Sequence, residues 1–308
     1  MIVTVTLNPA VDHTIQVDTM PEPETVARTD TAQFDAGGKG INVAQYLVKL
    51  GAETVATGLL GDFFGEYIRR ELNADDIDSE FVEIEGQTRL NTTLLADAEY
   101  KINHDGPTVD PTAVDELIEV IRSYDPSMVL VGGSLPPGLD YRAIDRIAAA
   151  GGWATSVDVG GEILARLEAE YAFCKPNRVE LAAATGTSVD ALEDCIVAAN
   201  QLRESGFERV VTSLGNDGAL VVSEDGCLHA AALDVDIADT VGAGDAMLSG
   251  FLLELSRGND VHAGLRRGIT VAARIVSVPG TRMPAFDTPD EATQQVEITK
   301  YSVPKREP

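Results

Sequence analysis

The segment DTVGAGD, residues 239–245, has the composition of an anion-binding turn, and apolar residues at helical spacing follow it. The backbone N–H groups of Gly242, Ala243 and Gly244 can point at one anion, because glycine permits a close approach and a helix start adds positive potential. Asp245 then lies in the first helical turn as an ionised carboxylate. The pattern favours phosphoryl transfer, with amides for the migrating group and a carboxylate that accepts the hydroxyl proton. A glycine-rich turn with an aspartate cap is the structural alternative.

A second glycine-rich segment, GGKGIN at residues 37–42, joins an extended run to a helical one. Gly37 and Gly38 allow the backbone to contact a hydroxylated ligand, and Asn42 follows Gly38 by one helical turn on the same face. Lys39 offers a cation. A flexible turn with a solvated lysine is the alternative, and the scarcity of lysine, six of 23 basic residues, weakens that alternative.

Polar residues and glycines also follow several apolar runs that have the length of buried strands. They are Asp12, Ser134, Lys175, Asn177, Glu180, Ser213, Gly215 and Gly218. Ligands of an open α/β sheet bind beyond the carboxyl ends of its strands, so this shared position favours a binding role. Local structural roles stay open, since Asn177 and Glu180 also have the spacing of a capping box.

Helical patterns alternate with short buried runs along most of the chain. The runs at residues 2–6, 54–60, 128–131 and 209–213 are rich in β-branched and aliphatic residues, and amphipathic stretches separate them. Such alternation predicts an α/β fold with a doubly wound, mostly parallel sheet that is covered on both faces.

Two segments break this rhythm, because they read as half-exposed alternating strands with no helix after them. We expect them to form a small antiparallel β lid from residues 11–35 and 89–105, while residues 1–10, 36–88 and 106–308 form the α/β domain. A sheet this small has an apolar face with nothing beneath it. It therefore covers an active site or pairs with the same sheet of a second subunit, and we expect a homodimer joined through the lids.

The charge balance excludes some partners. Fifty acidic residues against 23 basic ones give a net charge of −27, which would repel nucleic acid and anionic membranes. Adaptation to a salt-rich cytoplasm is one hypothesis for this acidity. Three scattered cysteines and four scattered histidines have no zinc-site spacing, and no apolar stretch could span a bilayer. These features predict a cytoplasmic protein with free thiols.

Eight segments in order resemble the ribokinase-like (PfkB) family of carbohydrate kinases along nearly the whole chain. They are TLNPAVD, GGKGINVA, TRLN, KINHDGP, GSLPPG, KPNRVE, SLGNDG and DTVGAGD. The resemblance implies a doubly wound sheet with a β lid, ATP as phosphoryl donor and Mg²⁺. It makes Asp245 the catalytic base and residues 242–244 the anion hole.

The same resemblance implies a role for each of the other marked residues. Asp12, Gly37, Gly38 and Asn42 would hold sugar hydroxyls, with Ser134 also on the substrate side; Lys175 and Asn177 would approach the ATP phosphates; Ser213, Gly215 and Gly218 would border the nucleotide. Glu180 would organise Mg²⁺ through water. Asp158 survives within SVDVGG, which departs from the usual family segment, and would assist with the metal.

Three basic residues near the predicted lid suggest a clamp for a phosphate that the sugar already carries. Arg28 and Arg89 lie on the two insertions, and Lys39 lies at their foot. Ion pairs with Asp30 and Asp35 are the alternative for the arginines. The segments TLNPAVD and GKGINVA look most like those of fructose-1-phosphate kinases, which implies fructose 1-phosphate as acceptor, while tagatose 6-phosphate and fructose 6-phosphate stay open.

Two other classes of function are weighed against the kinase. A sugar-phosphate sensor without turnover would not need Asp245 or its glycines, and all are present. A dinucleotide-dependent oxidoreductase is disfavoured, because no GxGxxG follows the first strand.

Overall fold

A computed structural model describes residues 1–278 and 290–303. Its strands are β1 (Ile2–Thr6), β2 (Ala10–Gln16), β3 (Ala32–Gly37), β4 (Thr54–Leu60), β5 (Ser79–Glu83), β6 (Arg89–Leu95), β7 (Glu99–Asn103), β8 (Met128–Gly132), β9 (Ala154–Asp158), β10 (Tyr171–Cys174), β11 (Phe207–Ser213), β12 (Ala219–Ser223), β13 (Gly226–Ala230) and β14 (Ile298–Tyr301). Its helices are α1 (Lys39–Lys49), α2 (Asp62–Ala74), α3 (Ala113–Ser123), α4 (Arg142–Ala149), α5 (Gly161–Leu164), α6 (Arg178–Thr185), α7 (Leu192–Arg203), α8 (Ala243–Ser256), α9 (Val261–Val276) and α10 (Asp290–Gln294).

The larger sheet has the strand order β14-β13-β12-β11-β10-β9-β8-β1-β4-β5. The strands from β11 to β5 run parallel, and β12, β13 and β14 add an antiparallel edge. Side chains of β1 enter both layers: Val3 and Val5 pack in a cluster with α3, α4 and α7, and Ile2 packs with α1, α8 and α9. The doubly wound, mostly parallel fold is therefore confirmed, and its β-branched strands are buried on both faces.

The smaller sheet, which we call the lid, has the order β3-β2-β6-β7. Its outer pairs, β2–β3 and β6–β7, are antiparallel as expected, whereas β2 and β6 pair in parallel. The parallel pair arises because β2 continues from β1 and β6 follows β5, and these two strands point the same way in the larger sheet. The division into an α/β domain and a lid with the stated boundaries stays our prediction.

The carboxyl ends of parallel strands lie at the same edge of a sheet, which places the loops after β1, β8, β9, β10 and β11 along one edge. Cys174, Cys195 and Cys227 are free and buried. In the described ranges, no helix has both the length and the apolar character needed to cross a membrane.

Candidate active site

Asp245 is the third residue of α8, and its half-buried carboxylate faces α1. Asn42 Nδ2 donates to Asp245 Oδ2 at 2.9 Å, so the two glycine-rich segments meet at this hydrogen bond although 203 residues separate them. The preceding Gly242 has φ of 78°, a left-handed conformation that favours glycine. The structure therefore brings together the two segments that the sequence marked for chemistry.

The pKa of Asp245 is raised to about 6, mainly by burial and also by the charge of Asp158. The hydrogen bond from Asn42 and the ammonium groups of Lys175 and Lys39 act in the opposite direction. The first-turn position suggested an ordinary acidic carboxylate; desolvation instead moves its titration close to neutrality. A general base is most effective when its pKa lies near the operating pH.

The backbone amides before Asp245 differ in their availability. Ala243 N–H donates weakly to Thr240 O at 3.4 Å. The N–H groups of Gly242 and Gly244 have no acceptor among the described residues. The anion-hole role predicted for residues 242–244 thus has its best support at the two glycines. Lys175 Nζ lies 3.6 Å from where a Cβ on Gly244 would be, so a cation borders the same turn.

A cavity of about 850 Å³ opens in front of this turn. It is lined by all five residues predicted to bind the nucleotide, and by Lys39 and residues of the DTVGAGD segment: Lys39, Lys175, Asn177, Ser213, Gly215, Gly218, Ala243, Gly244 and Asp245. The loops after β10 and β11 and the start of α8 therefore share one pocket with the predicted base.

A network of charged side chains borders the cavity. Lys39 Nζ is 2.6 Å from Asp158 Oδ1 and 3.4 Å from Glu180 Oε1. Lys175 Nζ, on a side chain that is 3% exposed, is 3.3 Å from Asp158 Oδ2. We expected Lys39 at the sugar-phosphate clamp with Arg28 and Arg89, but the fully buried Asp158 draws its ammonium to the donor cavity instead.

Asn177 and Glu180 form the capping box at the start of α6. Asn177 Oδ1 accepts from Glu180 N–H, and Glu180 Oε2 accepts from Asn177 N–H, both at 2.9 Å. This structural role leaves Glu180 Oε1 directed towards Lys39. Both residues thus have a stabilising role in addition to their position at the cavity.

The sugar side begins at Asp12 on β2. Its Oδ1 accepts from Asn91 Nδ2 at 2.9 Å, and burial raises its pKa. A Cβ on Gly37 would come within 2.0 Å of Asp12 Oδ2, so only glycine fits beside this carboxylate. Gly38 has φ of 125° and would clash with Thr6 if it carried a side chain.

Arg89 and Ser134 are both tied to Asn8, a buried residue that sequence reasoning did not mark. Arg89 Nε donates to Asn8 O and another guanidinium nitrogen donates to His104 O, each at 3.2 Å. Asn8 Nδ2 donates to Ser134 Oγ at 3.2 Å. Arg28 is exposed on the loop between β2 and β3 and does not line the donor cavity.

Residues 5–288 match the family described as pfkB family carbohydrate kinase. The chain belongs to this family. A 1-phosphofructokinase of Haloferax volcanii is 52% identical over 300 residues, which cover 97% of this chain and 98% of that protein. A D-tagatose-1-phosphate kinase of Bacillus licheniformis is 32% identical and covers 97% of this chain and 99% of that protein. The structure of Escherichia coli phosphofructokinase-2 with substrates and products superposes with a TM-score of 0.82 at 28% identity, covering 96% and 97% of the two chains.

As a PfkB member, the chain is an ATP-dependent carbohydrate kinase, and the family also implies a divalent metal. Asp158 Oδ2 is buried and accepts no hydrogen bond, although Lys175 Nζ is 3.3 Å away. Glu180 Oε1 shares the ammonium group of Lys39 with Asp158 Oδ1. Across residues 1–278 and 290–303, no three His, Cys, Asp or Glu side chains cluster as metal ligands. One or two carboxylates are what Mg²⁺ uses when substrate phosphates supply the other ligands, so the residues present fit it.

Sequence reasoning missed the apolar wall of the PfkB donor cavity. This wall consists of Leu233, Val235, Ile237, Ile269, Ala272, Ala273 and Val276. Two patterns could have revealed it: alternation at residues 233–237, and the helical spacing of 269, 272, 273 and 276. An apolar wall opposite the phosphate-binding turn suits a purine base.

Proposed function

We propose that this kinase transfers the γ-phosphoryl group of ATP to fructose 1-phosphate and produces fructose 1,6-bisphosphate. The observation that carries the proposal is the hydrogen bond between Asn42 and Asp245, because it links a carboxylate of the donor cavity to the helix that follows the Gly37–Gly38 segment beside Asp12. The name and the high identity of the Haloferax volcanii relative support the choice of acceptor.

In the proposed reaction, Asp12 and Asn42 orient the sugar so that its free primary hydroxyl meets Asp245, which takes the proton. Arg89 holds the phosphate at the far end of the sugar. The amides of Gly242 and Gly244, with Lys175, stabilise the migrating phosphoryl group. Asp158 and Glu180 would hold Mg²⁺, which neutralises phosphate charge when it is bound with ATP.

A coupled ADP-release assay with a panel of acceptors tests the proposal. We expect the highest kcat/KM with fructose 1-phosphate, above fructose 6-phosphate, tagatose 6-phosphate and unphosphorylated fructose. Asp245→Asn serves as the blank for contaminating kinases. A higher kcat/KM with another ketohexose phosphate would replace the acceptor, and ADP release no higher than the blank for every sugar would favour the sensor.

Tagatose 1-phosphate is a second candidate, because the Bacillus licheniformis relative is named for it and aligns over nearly the whole chain. Tagatose differs from fructose only in the configuration of one hydroxyl. A single hydroxyl in a hydrogen-bonding site can change kcat/KM strongly, so the same assay separates the two sugars.

We also propose that two chains pair through their lids in the cytoplasm. One face of the lid carries two cross-strand rows of mostly apolar side chains. The rows are Phe34, His13, Thr92 and Ile102, and Ala32, Ile15, Leu94 and Tyr100. Asp12 and Asn91 lie on the opposite, polar face. Phe34 is 44% exposed and Ile102 is 62% exposed. An apolar face of this kind suits a second copy of the chain.

Sedimentation velocity tests the pairing, and we expect a dimer that Ile102→Arg converts to a monomer. Val197→Arg, at an exposed apolar position on α7, is the matched control and should leave the dimer intact. A wild-type monomer would exclude this use of the lid.

A further inference from the structure

The ammonium of Lys39 lies between the two carboxylates that would hold magnesium. It is 2.6 Å from Asp158 Oδ1 and 3.4 Å from Glu180 Oε1. A metal ion that used either oxygen would compete with this ammonium for the same lone pairs. The position of Lys39 therefore indicates a role at the metal site, which binding to the lid or to the sugar would not explain.

The local charge balance makes this competition strong. Asp158, Glu180 and Asp245 contribute three carboxylates, and Lys39 and Lys175 contribute two ammonium groups, so the cluster is close to neutral. Asp158 is fully buried, and water does little to screen charges around it. A divalent cation cannot join both ammonium groups at Asp158 without repulsion, and a buried carboxylate left without any cation is unfavourable.

The two lysines differ in how easily their ammonium groups can move away from the carboxylates. The Lys39 side chain is 32% exposed and lines the donor cavity, whereas Lys175 is 3% exposed. The backbone of Lys39 is fixed at the start of α1, which packs so closely on Gly132 that a Cβ there would be only 3.1 Å from Gly40 N and from Lys39 Cβ. The four-carbon stem above that fixed backbone can still turn. Movement of the Lys39 head group would free Asp158 Oδ1 and Glu180 Oε1, while Lys175 stays paired with Asp158 Oδ2.

We propose that Lys39 is a placeholder cation, which neutralises Asp158 and Glu180 until magnesium arrives with the nucleotide and then turns into the donor cavity towards the phosphates. The proposal rests on the roles proposed above for Asp158 and Glu180 as holders of Mg²⁺ in the donor cavity. It explains why a lysine stands at the foot of the lid yet points away from it. It also couples metal binding to nucleotide binding, because metal alone must displace a cation that has nowhere else to bind.

Binding of Mn²⁺ alone, measured by electron paramagnetic resonance without nucleotide or sugar, tests the proposal. We expect wild-type protein to bind Mn²⁺ weakly and Lys39→Met to bind it tighter by about tenfold or more, on the scale of effects that residues beside a metal exert. Lys39→Arg keeps the positive charge and should stay weak. Adding Asp158→Asn to Lys39→Met should remove the gain.

Lys300→Met is the matched control, because it deletes the same charge beside a separate cavity. Equal Mn²⁺ affinity in wild type and Lys39→Met would overturn the proposal. So would an equal gain in Lys300→Met, or a gain that survives Asp158→Asn. The measurement does not involve the acceptor, so failure of the ADP-release panel would remove the proposed substrate and leave this result standing.

Discussion

The donor cavity and the lid hold their charged side chains in different ways. On the donor side, Lys39 and Lys175 each pair with the buried carboxylate of Asp158. On the lid side, Asp12 bonds to the neutral amide of Asn91, and Arg89 bonds to main-chain oxygens. The donor charges neutralise one another, whereas Asp12 and Arg89 can still form ionic contacts with a ligand.

The difference follows from burial. An unpaired charge inside the protein is costly, so the donor side must be assembled as a balanced set before any substrate binds. The half-exposed lid has no such requirement, and β7 is exposed along its whole length. We infer that the donor side provides fixed geometry for the chemical step and that the lid provides binding energy. Substitutions on the two sides should therefore separate into effects on kcat and effects on KM.

The largest effect is expected from Asp245→Asn. The amide cannot accept the hydroxyl proton, and loss of a general base lowers rates by about 10²- to 10⁴-fold. The binding of sugar phosphate should change little, because the lid contacts remain. Steady-state kinetics and calorimetric titration of the sugar phosphate measure the two quantities.

The control for Asp245→Asn is Asp225→Asn, which should behave as wild type. Asp225 is exposed and lines the separate cavity that also contains Lys300. Full turnover by Asp245→Asn would remove this residue from the chemistry. A parallel loss of sugar-phosphate binding would break the proposed division between the two sides.

Arg89→Ala should have the next largest effect and should act on KM. Loss of a charge-assisted contact to the sugar phosphate corresponds to about a 10- to 100-fold rise in KM, with kcat changed much less. Unphosphorylated fructose should not show this rise. The comparison of phosphorylated and unphosphorylated acceptors in one kinetic series measures it.

Arg28→Ala sharpens the same comparison, because Arg28 is exposed on its loop and we expect a smaller rise in KM. A rise equal to that of Arg89→Ala would show that this loop closes on the sugar phosphate. An unchanged KM in Arg89→Ala would remove Arg89 from the clamp.

The sequence predicted the donor side best where chemistry and local structure coincide. Gly242 adopts a left-handed conformation, and Asn177 with Glu180 forms a helix cap, so local sequence patterns were informative at these positions. The sequence did not reveal the ion pair of Lys39, because the direction of this long side chain depends on Asp158, a partner 119 positions away. A local sequence pattern cannot reveal a contact between residues so far apart in the chain.

The lid was predicted as a small sheet from its alternating residues, yet the parallel pairing of β2 and β6 depends on the order of strands in the larger sheet. Asn8 was missed for a similar reason, since its contacts to Arg89 and Ser134 join three distant segments. Residue types predict which side chains can act. Topology decides which of them meet.

The smallest effect, and the finest test of the donor side, concerns pH. Because burial raises the pKa of Asp245 to about 6, kcat/KM should be maintained above that pH and fall as the pH decreases through it. The amide of Asn42 donates to the carboxylate and so lowers this pKa. Asn42→Ala removes that donation, and the acid limb should move to higher pH, by less than about one unit.

A sugar phosphate itself titrates near pH 6, by analogy with other phosphate monoesters, so only the shift between variants identifies Asp245. Gln45→Ala removes a similar amide one turn along α1 and experiences the same substrate titration. Its acid limb should coincide with that of wild type. If the limb of Asn42→Ala also coincides, substrate ionisation rather than Asp245 sets the profile. A shift to lower pH would mean that Asn42 does not stabilise the charged base, and the fixed geometry inferred for the donor side would lose its clearest support.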